Sequence, residues 1–299
     1  MPTINTISLS GVFPPVPTPF GADESIDPAA LQHNIRHLLQ APLRGVVVLG
    51  SNGEAPLVND DDSVTMIEAA REAVPRDRVL IAGTGRESTR ETIRFTRRAA
   101  EAGADAVLVR TPSFFKAQLT AAAFTRHYTD VAEQSPVPVL LYNYSALTGV
   151  TLHPEAVATL STHPNITGMK ESGTDEALIA AYGAHASSGF QLLAGTVTAL
   201  HASVASGATG AILASAVVAP GPSIALFGLL TSGRVDEARA LQQRLIALNK
   251  YVTATYGVAG LKIAQDLIGQ RGGLPRLPLL PAPSQARAEI AAALAALEN

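Results

Sequence analysis

The chain has 299 residues, 47% of them hydrophobic and 16% charged, which is enough apolar material for one large core. The formal net charge is -3 and the Lys and Arg residues are scattered, so there is no electrostatic footprint for nucleic acid or anionic lipid, and small molecules are the expected partners. The lack of cysteine excludes a disulfide framework, a thiolate metal site and a cysteine nucleophile.

The first ten residues, MPTINTISLS, lack the basic start and apolar stretch of a secretory signal and the arginines of a transit peptide, which predicts a cytoplasmic protein. Gly, Pro or a charge interrupts every apolar run before the roughly 18 residues that a membrane span needs. From there a short β-branched run, a loop with Gly, Ser, Thr or Pro, and an Ala-rich amphipathic helix recur, the pattern of βα units. Strands are predicted at Gly11 to Val16, Gly45 to Leu49, Val79 to Ala82, Ala106 to Val109, Val139 to Tyr142, Ile166 to Met169, Gln191 to Ala194 and Ala211 to Leu213. Most are continuous apolar runs, as in parallel strands covered on both faces. Eight of them fit a closed α/β barrel.

Helix starts are marked by Asp27 before Pro28, by Asn59 before Asp60, Asp61 and Asp62, and by Ser88 three residues before Glu91. The three aspartates answer the helix macrodipole more simply than they make a cation site. Gly83 to Gly85 is too short for a dinucleotide fingerprint and reads as a tight turn. His33 and His37 have zinc-compatible spacing, but no third ligand is evident, so no metal is expected. Beyond about Pro220 the strand rhythm stops. Helical segments follow near Ser223 to Thr231, Val235 to Ala254 and Ala259 to Gly269, and then the Pro-rich segment from Leu274 to Pro283 is predicted to run extended before a last helix. The division expected is 1-228 for the barrel and 229-299 for a C-terminal helical extension packed on it as one structural domain.

In a (β/α)8 TIM barrel the chemistry sits in the loops after the strands. Those loops read GSNGEAPL after strand 2, YNYSALTG after strand 5, GMKESG after strand 6 and AGT after strand 7. Lys170 follows a short apolar run, and an amine at such a place can condense with a ketone. The bland alternative is a lysine snorkelling to the rim. Tyr142 ends strand 5, where its phenol either relays a proton or caps the core. Ser51 and Asn52 lie between Gly50 and Gly53, in a loop that either aims short polar groups at a carboxylate or forms a plain Asn-Gly turn. Glu54 is either a brace for that loop or a solvated charge.

GSNGEA, TPSFF, YN with a following TG, and GMKES occur in this order, and on them the chain resembles the dihydrodipicolinate synthase and N-acetylneuraminate lyase family over nearly its whole length. Within it the likeness is to 4-hydroxy-2-oxoglutarate aldolases, through GSNGE, AGTGREST, HYTDVAEQSPVPVLLY, LSTHPNITGMKESG, FQLLAG and YGVAGLK. The resemblance implies a (β/α)8 barrel with a C-terminal helical extension, a homotetramer, and a class I aldolase needing no metal or organic cofactor. It matches Lys170 to the Schiff-base lysine, Tyr142 to the catalytic tyrosine, and Ser51 and Asn52 to the pair that binds the keto acid's carboxylate and joins the proton relay. Gly195 and Ile212 match positions lining the keto-acid site, and Ser172 matches a serine of the aldolase subgroup.

Three departures stand out. Phe114 replaces a tyrosine that most relatives supply from a neighbouring subunit, and it has no hydroxyl to pass a proton. Leu147 stands where dihydrodipicolinate synthases carry the arginine that binds the second substrate. Tyr144 and Ser145 replace residues that usually end in proline. Arg86 and Arg110, near strand ends, either offer a fork to a distal carboxylate or pair with a rim carboxylate. The expected reaction is cleavage of 4-hydroxy-2-oxoglutarate to pyruvate and glyoxylate. The alternatives are a dehydratase or aldolase on a sugar-derived 2-keto-3-deoxy acid, a 4-hydroxy-tetrahydrodipicolinate synthase-like protein, and a barrel that binds a keto acid with little turnover.

Overall fold

The computed structural model describes residues 7–297. Along the chain these form β1 (Gly11–Phe13), α1 (Pro28–Leu38), β2 (Gly45–Val48), α2 (Asp60–Ala73), β3 (Val79–Gly83), α3 (Thr89–Glu101), β4 (Ala106–Arg110) and α4 (Ala121–Gln134). They continue as β5 (Val139–Asn143), α5 (Ser145–Thr148), α6 (Pro154–Leu160), β6 (Ile166–Glu171), α7 (Glu176–Gly183), β7 (Gln191–Ala194), α8 (Leu200–Ala205) and β8 (Gly210–Ile212). After the last strand come α9 (Ser215–Val218), α10 (Pro220–Thr231), α11 (Val235–Asn249), α12 (Gly257–Leu267) and α13 (Ala286–Ala295). The eight strands form one parallel sheet in the order β1-β8-β7-β6-β5-β4-β3-β2, the succession of a (β/α)8 TIM barrel, followed by C-terminal helices.

All eight predicted strands are present, with ends that differ for physical reasons. β1 stops at Phe13 because Pro14 and Pro15 have no N–H for the ladder, although Val16 still donates to Val47 O at 2.8 Å. β6 runs two residues further than predicted, so Lys170 lies within the strand rather than after it. The long helix expected from Val235 ends at Asn249 and passes into a π-helical turn, Lys250–Thr255. The three helix starts hold: Asp27, Asn59 and Ser88 accept from the backbone N–H of Ala30, Asp62 and Glu91. Residues 274–283 carry no helix, as their prolines require.

The chain divides into two compact units. One holds residues 81–211 and the described residues before Gly11. Here β4, β5 and β6 are buried along nearly their whole length, and the covering helices turn one stripe inward. In α3 the buried residues Thr92, Phe95, Thr96 and Ala99 recur at helical spacing, leaving the charged residues outside. Phe124, Tyr128 and Val131 do the same for α4. The other unit holds Gly11–Leu80 and the chain from Ile212 onward. Leu31, Ile35 and Leu38 of α1, Met66 and Ile67 of α2, and Leu245, Leu248, Leu261 and Ile290 of the later helices form its apolar interior. Among the described residues no helix is long and apolar enough to cross a membrane, and no group of three or more His, Cys, Asp or Glu residues is placed to hold a metal ion.

Candidate active site

Lys170 and Tyr142 meet because β5 and β6 run parallel with Tyr142 and Lys170 as direct register partners. Partners in a parallel pair project from the same face of the sheet. Both side chains are almost fully buried, with 5% and 4% exposure, and the Lys170 Nζ lies 4.3 Å from the centre of the Tyr142 ring. The amine is therefore held against the π-face of a phenol inside the protein, which does not fit a lysine snorkelling to solvent. Tyr144 extends the aromatic wall, its ring 6.3 Å from that of Tyr142, and burial together with the neighbouring Tyr142 phenol pushes its own hydroxyl above the ordinary tyrosine range.

Ser172, two residues beyond Lys170, meets Gly195 just past the end of β7. Gly195 N donates to Glu171 O at 2.6 Å, extending the β6–β7 ladder by one rung. A side chain at Gly195 would run into the Ser172 hydroxyl and the Glu171 carbonyl, so close approach demands glycine there. The Ser172 Oγ is buried without a hydrogen-bond partner. An orphaned buried hydroxyl carries a cost of about 1–3 kcal/mol that a bound polar group would relieve.

On the opposite face, Glu171 was passed over in the sequence as part of GMKES, and its partner Asn143 as part of YN. Both are buried, and Asn143 Nδ2 donates to Glu171 Oε2 at 2.6 Å. Burial pushes the Glu171 carboxyl above its ordinary range, against the pull of the hydrogen bonds from Asn143 and the Gly173 N–H. The only signal in the sequence was a carboxylate directly after Lys170 at the end of a mostly apolar run.

Arg110 ends β4 in register with Tyr142, yet its guanidinium is engaged by Glu87 at 2.8 Å. The bland reading of Arg110 thus holds. Glu87 also accepts from the N–H groups of Ser113 and Phe114, at 2.9 and 3.0 Å, and so ties down the TPSFF loop. Burial alone would raise the Glu87 carboxyl, but the Ser113 N–H, Arg110 and the Phe114 N–H outweigh it and hold the group below its ordinary range. Arg86 lies over the Phe95 ring at 3.9 Å. Phe114, Phe115 and Leu147 are exposed. The loop after β5, with Tyr144 as its N-cap and Ser145 as its first helical residue, winds into α5, and Gly149 closes it in the left-handed region at φ 66°.

Ser51, Asn52 and Ile212 belong to the other unit. Ser51 and Asn52 are half-buried in the turns that follow β2, where Gly53 N donates to Gly50 O and Glu54 N to Ser51 O, each at 3.1 Å. Ile212 is fully buried at the end of β8. Thr18 Oγ1 donates to Gly53 O at 2.6 Å from below the turn. Glu54, in the left-handed region at φ 54°, turns its carboxylate into the interior, 2.6 Å from Lys262 Nζ, with both side chains fully buried. Its second oxygen accepts from Arg276 N at 2.8 Å, and Lys262 also donates to Leu274 O at 2.8 Å. Of the two readings of Glu54, the brace is the one observed. Burial, reinforced by Arg276, pulls the Lys262 amine below its ordinary range despite the nearby Glu54. Lys262 lies in the YGVAGLK segment, where helical periodicity alone gave no reason to expect a paired charge.

The dihydrodipicolinate synthetase family matches residues 8–297. A 4-hydroxy-tetrahydrodipicolinate synthase of Exiguobacterium sp. is 34% identical over 286 residues, covering 96% of this chain and 97% of that protein. A protein of Emericella nidulans, "Probable 4-hydroxy-2-oxoglutarate aldolase, mitochondrial", is 32% identical over 285 residues, covering 94% and 92%. A prophage protein of the dihydrodipicolinic acid synthase family from E. coli K12, solved in complex with pyruvate, superposes with a TM-score of 0.87 at 30% identity and covers 98% of this chain and 99% of that one. This chain is a member of the dihydrodipicolinate synthetase family.

Proposed function

We propose that the chain is a class I aldolase-type lyase that holds a 2-oxo acid as an imine on Lys170 and cleaves 4-hydroxy-2-oxoglutarate to pyruvate and glyoxylate. The observation that carries this reading is the Lys170 amine, buried within β6 and set 4.3 Å from the Tyr142 ring. A nucleophilic amine beside a phenol is the minimum needed to form and break a carbinolamine. The amine attacks the C2 ketone, and Tyr142 helps move the proton as water leaves. The iminium then accepts the electron pair of the C3–C4 bond while the C4 hydroxyl gives up its proton, which releases glyoxylate and leaves an enamine. Protonation at C3 and hydrolysis return pyruvate and the free lysine.

Ser51 and Asn52 are assigned to the carboxylate beside the ketone, on the family resemblance. Ser172, whose buried Oγ lacks a partner beside Gly195, is assigned to a polar group on the substrate, and Gly195 and Ile212 to the wall. The test is reductive trapping. Borohydride with pyruvate is expected to add one pyruvate-derived mass to Lys170, and lack of the adduct would sink the proposal. A panel of 2-oxo acids assayed for aldehyde release then separates the aldolase from a dehydratase, which releases none.

A second reading, 4-hydroxy-tetrahydrodipicolinate synthase, is favoured by the names of several relatives at 33 to 36% identity. Against it stands Leu147, exposed on α5 at the position where the family resemblance expects a synthase to have an arginine for the second substrate. Condensation of pyruvate with aspartate semialdehyde, measured beside the aldol cleavage, distinguishes the two.

A further inference from the structure

Asn143 and Glu171 are register partners one residue beyond Tyr142 and Lys170, at the last rung that β5 and β6 share. Because side chains alternate along a strand, this second pair lies on the face opposite the amine and the phenol. Each of its four polar side-chain atoms has a partner. Asn143 Oδ1 accepts from Leu152 N at 2.8 Å, which fixes the amide so that Nδ2 faces Glu171 Oε2 at 2.6 Å, and Glu171 Oε1 accepts from the Gly173 N–H. Backbone bonds run beside the link, from Ser172 N to Asn143 O at 3.1 Å and from Gly195 N to Glu171 O at 2.6 Å. A buried carboxylate is an expensive way to join two strands, since an apolar pair of similar volume serves at lower cost. What a carboxylate adds is direction: two donors with fixed origins set where each strand end stops.

We propose that Glu171, acting through Asn143, is a positioning residue that sets the Lys170 amine against the Tyr142 phenol. The proposal rests on the reading of Lys170 as the imine-forming lysine. Displacement of a reacting group by about 1 Å can cost on the order of 100-fold in rate, so a brace one residue away on the back of the same two strands has leverage.

The chemistry of the link supplies its own test. In Glu171→Gln the new Nε2 meets a donor whichever way the amide turns, Asn143 Nδ2 in one orientation and the Gly173 N–H in the other, and Asn143 cannot turn over without setting its amide N–H against Leu152 N. In the reciprocal double variant Asn143→Asp, Glu171→Gln, the aspartate accepts from both Leu152 N and the new Nε2, while the glutamine oxygen accepts from Gly173 N. Every bond is restored with the same total charge and nearly the same volume.

Imine formation on Lys170 with pyruvate, kcat and KM are measured for the wild type, Glu171→Gln and the double variant, alongside thermal unfolding. Labelling of Lys170 by acetic anhydride, read by mass spectrometry, reports the amine's setting without any substrate. Glu171→Gln is expected to lower kcat and imine formation at least about tenfold with KM changed less, and to alter the Lys170 labelling rate, while the double variant returns both to within about threefold of wild type. A single variant that is less stable but unchanged in kcat and in labelling would overturn the proposal, and so would a double variant that stays as slow as the single. If the wild type itself forms no imine, the reading of Lys170 fails, and the labelling arm still decides whether Glu171 positions the amine.

Discussion

Two lysines are buried in this molecule, and they are treated oppositely. Lys262 in α12 is fully enclosed, 2.6 Å from the Glu54 carboxylate, 2.8 Å from the Leu274 carbonyl and 4.5 Å from the Phe20 ring centre. Each of these contacts favours a held cation, as a structural brace requires. Lys170 in β6 is nearly as buried, but what is placed against it is a phenol face at 4.3 Å, while the adjacent carboxylate, Glu171, is turned to the other side of the strand. A buried amine paired with a carboxylate and a carbonyl is a strut; the proposed function makes the other, set against a phenol face, the reagent. Motif spacing alone does not separate the two cases. The neighbours do.

The sharpest break of the comparison is to remove each amine in turn. Lys170→Ala is expected to abolish the pyruvate adduct and to lower kcat by at least about 10⁴-fold, while leaving stability within about 1–2 kcal/mol. Trapping mass spectrometry and a pyruvate-release assay check the first part, and chemical denaturation the second. Lys262→Met should reverse the pattern. With its partner gone, Glu54 is an uncompensated buried charge, and the expected loss of unfolding free energy is about 3–5 kcal/mol. The double variant Lys262→Met, Glu54→Gln should recover most of that loss, because it removes both charges. Equal damage to catalysis and stability in both single variants would erase the distinction between strut and reagent.

What could be read in the sequence follows the same division. Strand positions were legible because parallel strands covered on both faces are unbroken apolar runs, and the helix starts because Asp27, Asn59 and Ser88 have local jobs that depend only on the next turn. Lys170 and Tyr142 stood near the ends of such runs, where the residues alone left a bland reading open for each, and only the ordered motifs of the family resemblance singled them out. The Asn143–Glu171 link and the Glu54–Lys262–Arg276 cluster were not legible, since they join residues 28 and more than 200 positions apart, and no periodicity encodes which distant donor meets which carboxylate. Glu54 illustrates the limit: its residue type allowed a brace or a solvated charge, and only its inward turn chose between them.

A third buried base extends the comparison to a group that is left half-satisfied. His127 on α4 hydrogen-bonds with Thr89 Oγ1 through Nδ1 at 2.9 Å, while its Nε2 is buried with no partner. Burial lowers its pKa from 6.5 to about 4, against the pull of Asp130 and Glu87. A folded value below the unfolded one means that the stability gained from a neutral ring is fully present above about pH 6.5 and is lost as the pH falls toward 4. At about 1.4 kcal/mol per unit this amounts to roughly 3 kcal/mol. His127→Phe keeps the ring without the titration, so its unfolding free energy should fall less than that of the wild type between these pH values, and parallel curves would remove His127 from the account.

The smallest expected effect concerns Phe114, where the resemblance places a hydroxyl in most relatives and this chain has none. The ring is 78% exposed, packs edge-on against Phe115 at 5.1 Å between centres, and sits on a loop whose backbone is already held by Glu87. Phe114→Tyr therefore adds an oxygen without moving the loop, and stability should change by no more than about 0.5 kcal/mol. If water now stands in for the missing phenol in proton transfer, the tyrosine should raise kcat by a few-fold, on the order of 3 to 10, with KM for the 2-oxo acid unchanged. Side-by-side kcat measurements on the wild type and Phe114→Tyr decide it. An unchanged kcat would mean that proton transfer in the proposed reaction does not wait on this position, and would leave it to the amine of β6 and the neighbouring phenol of β5 to which the proposal assigns it.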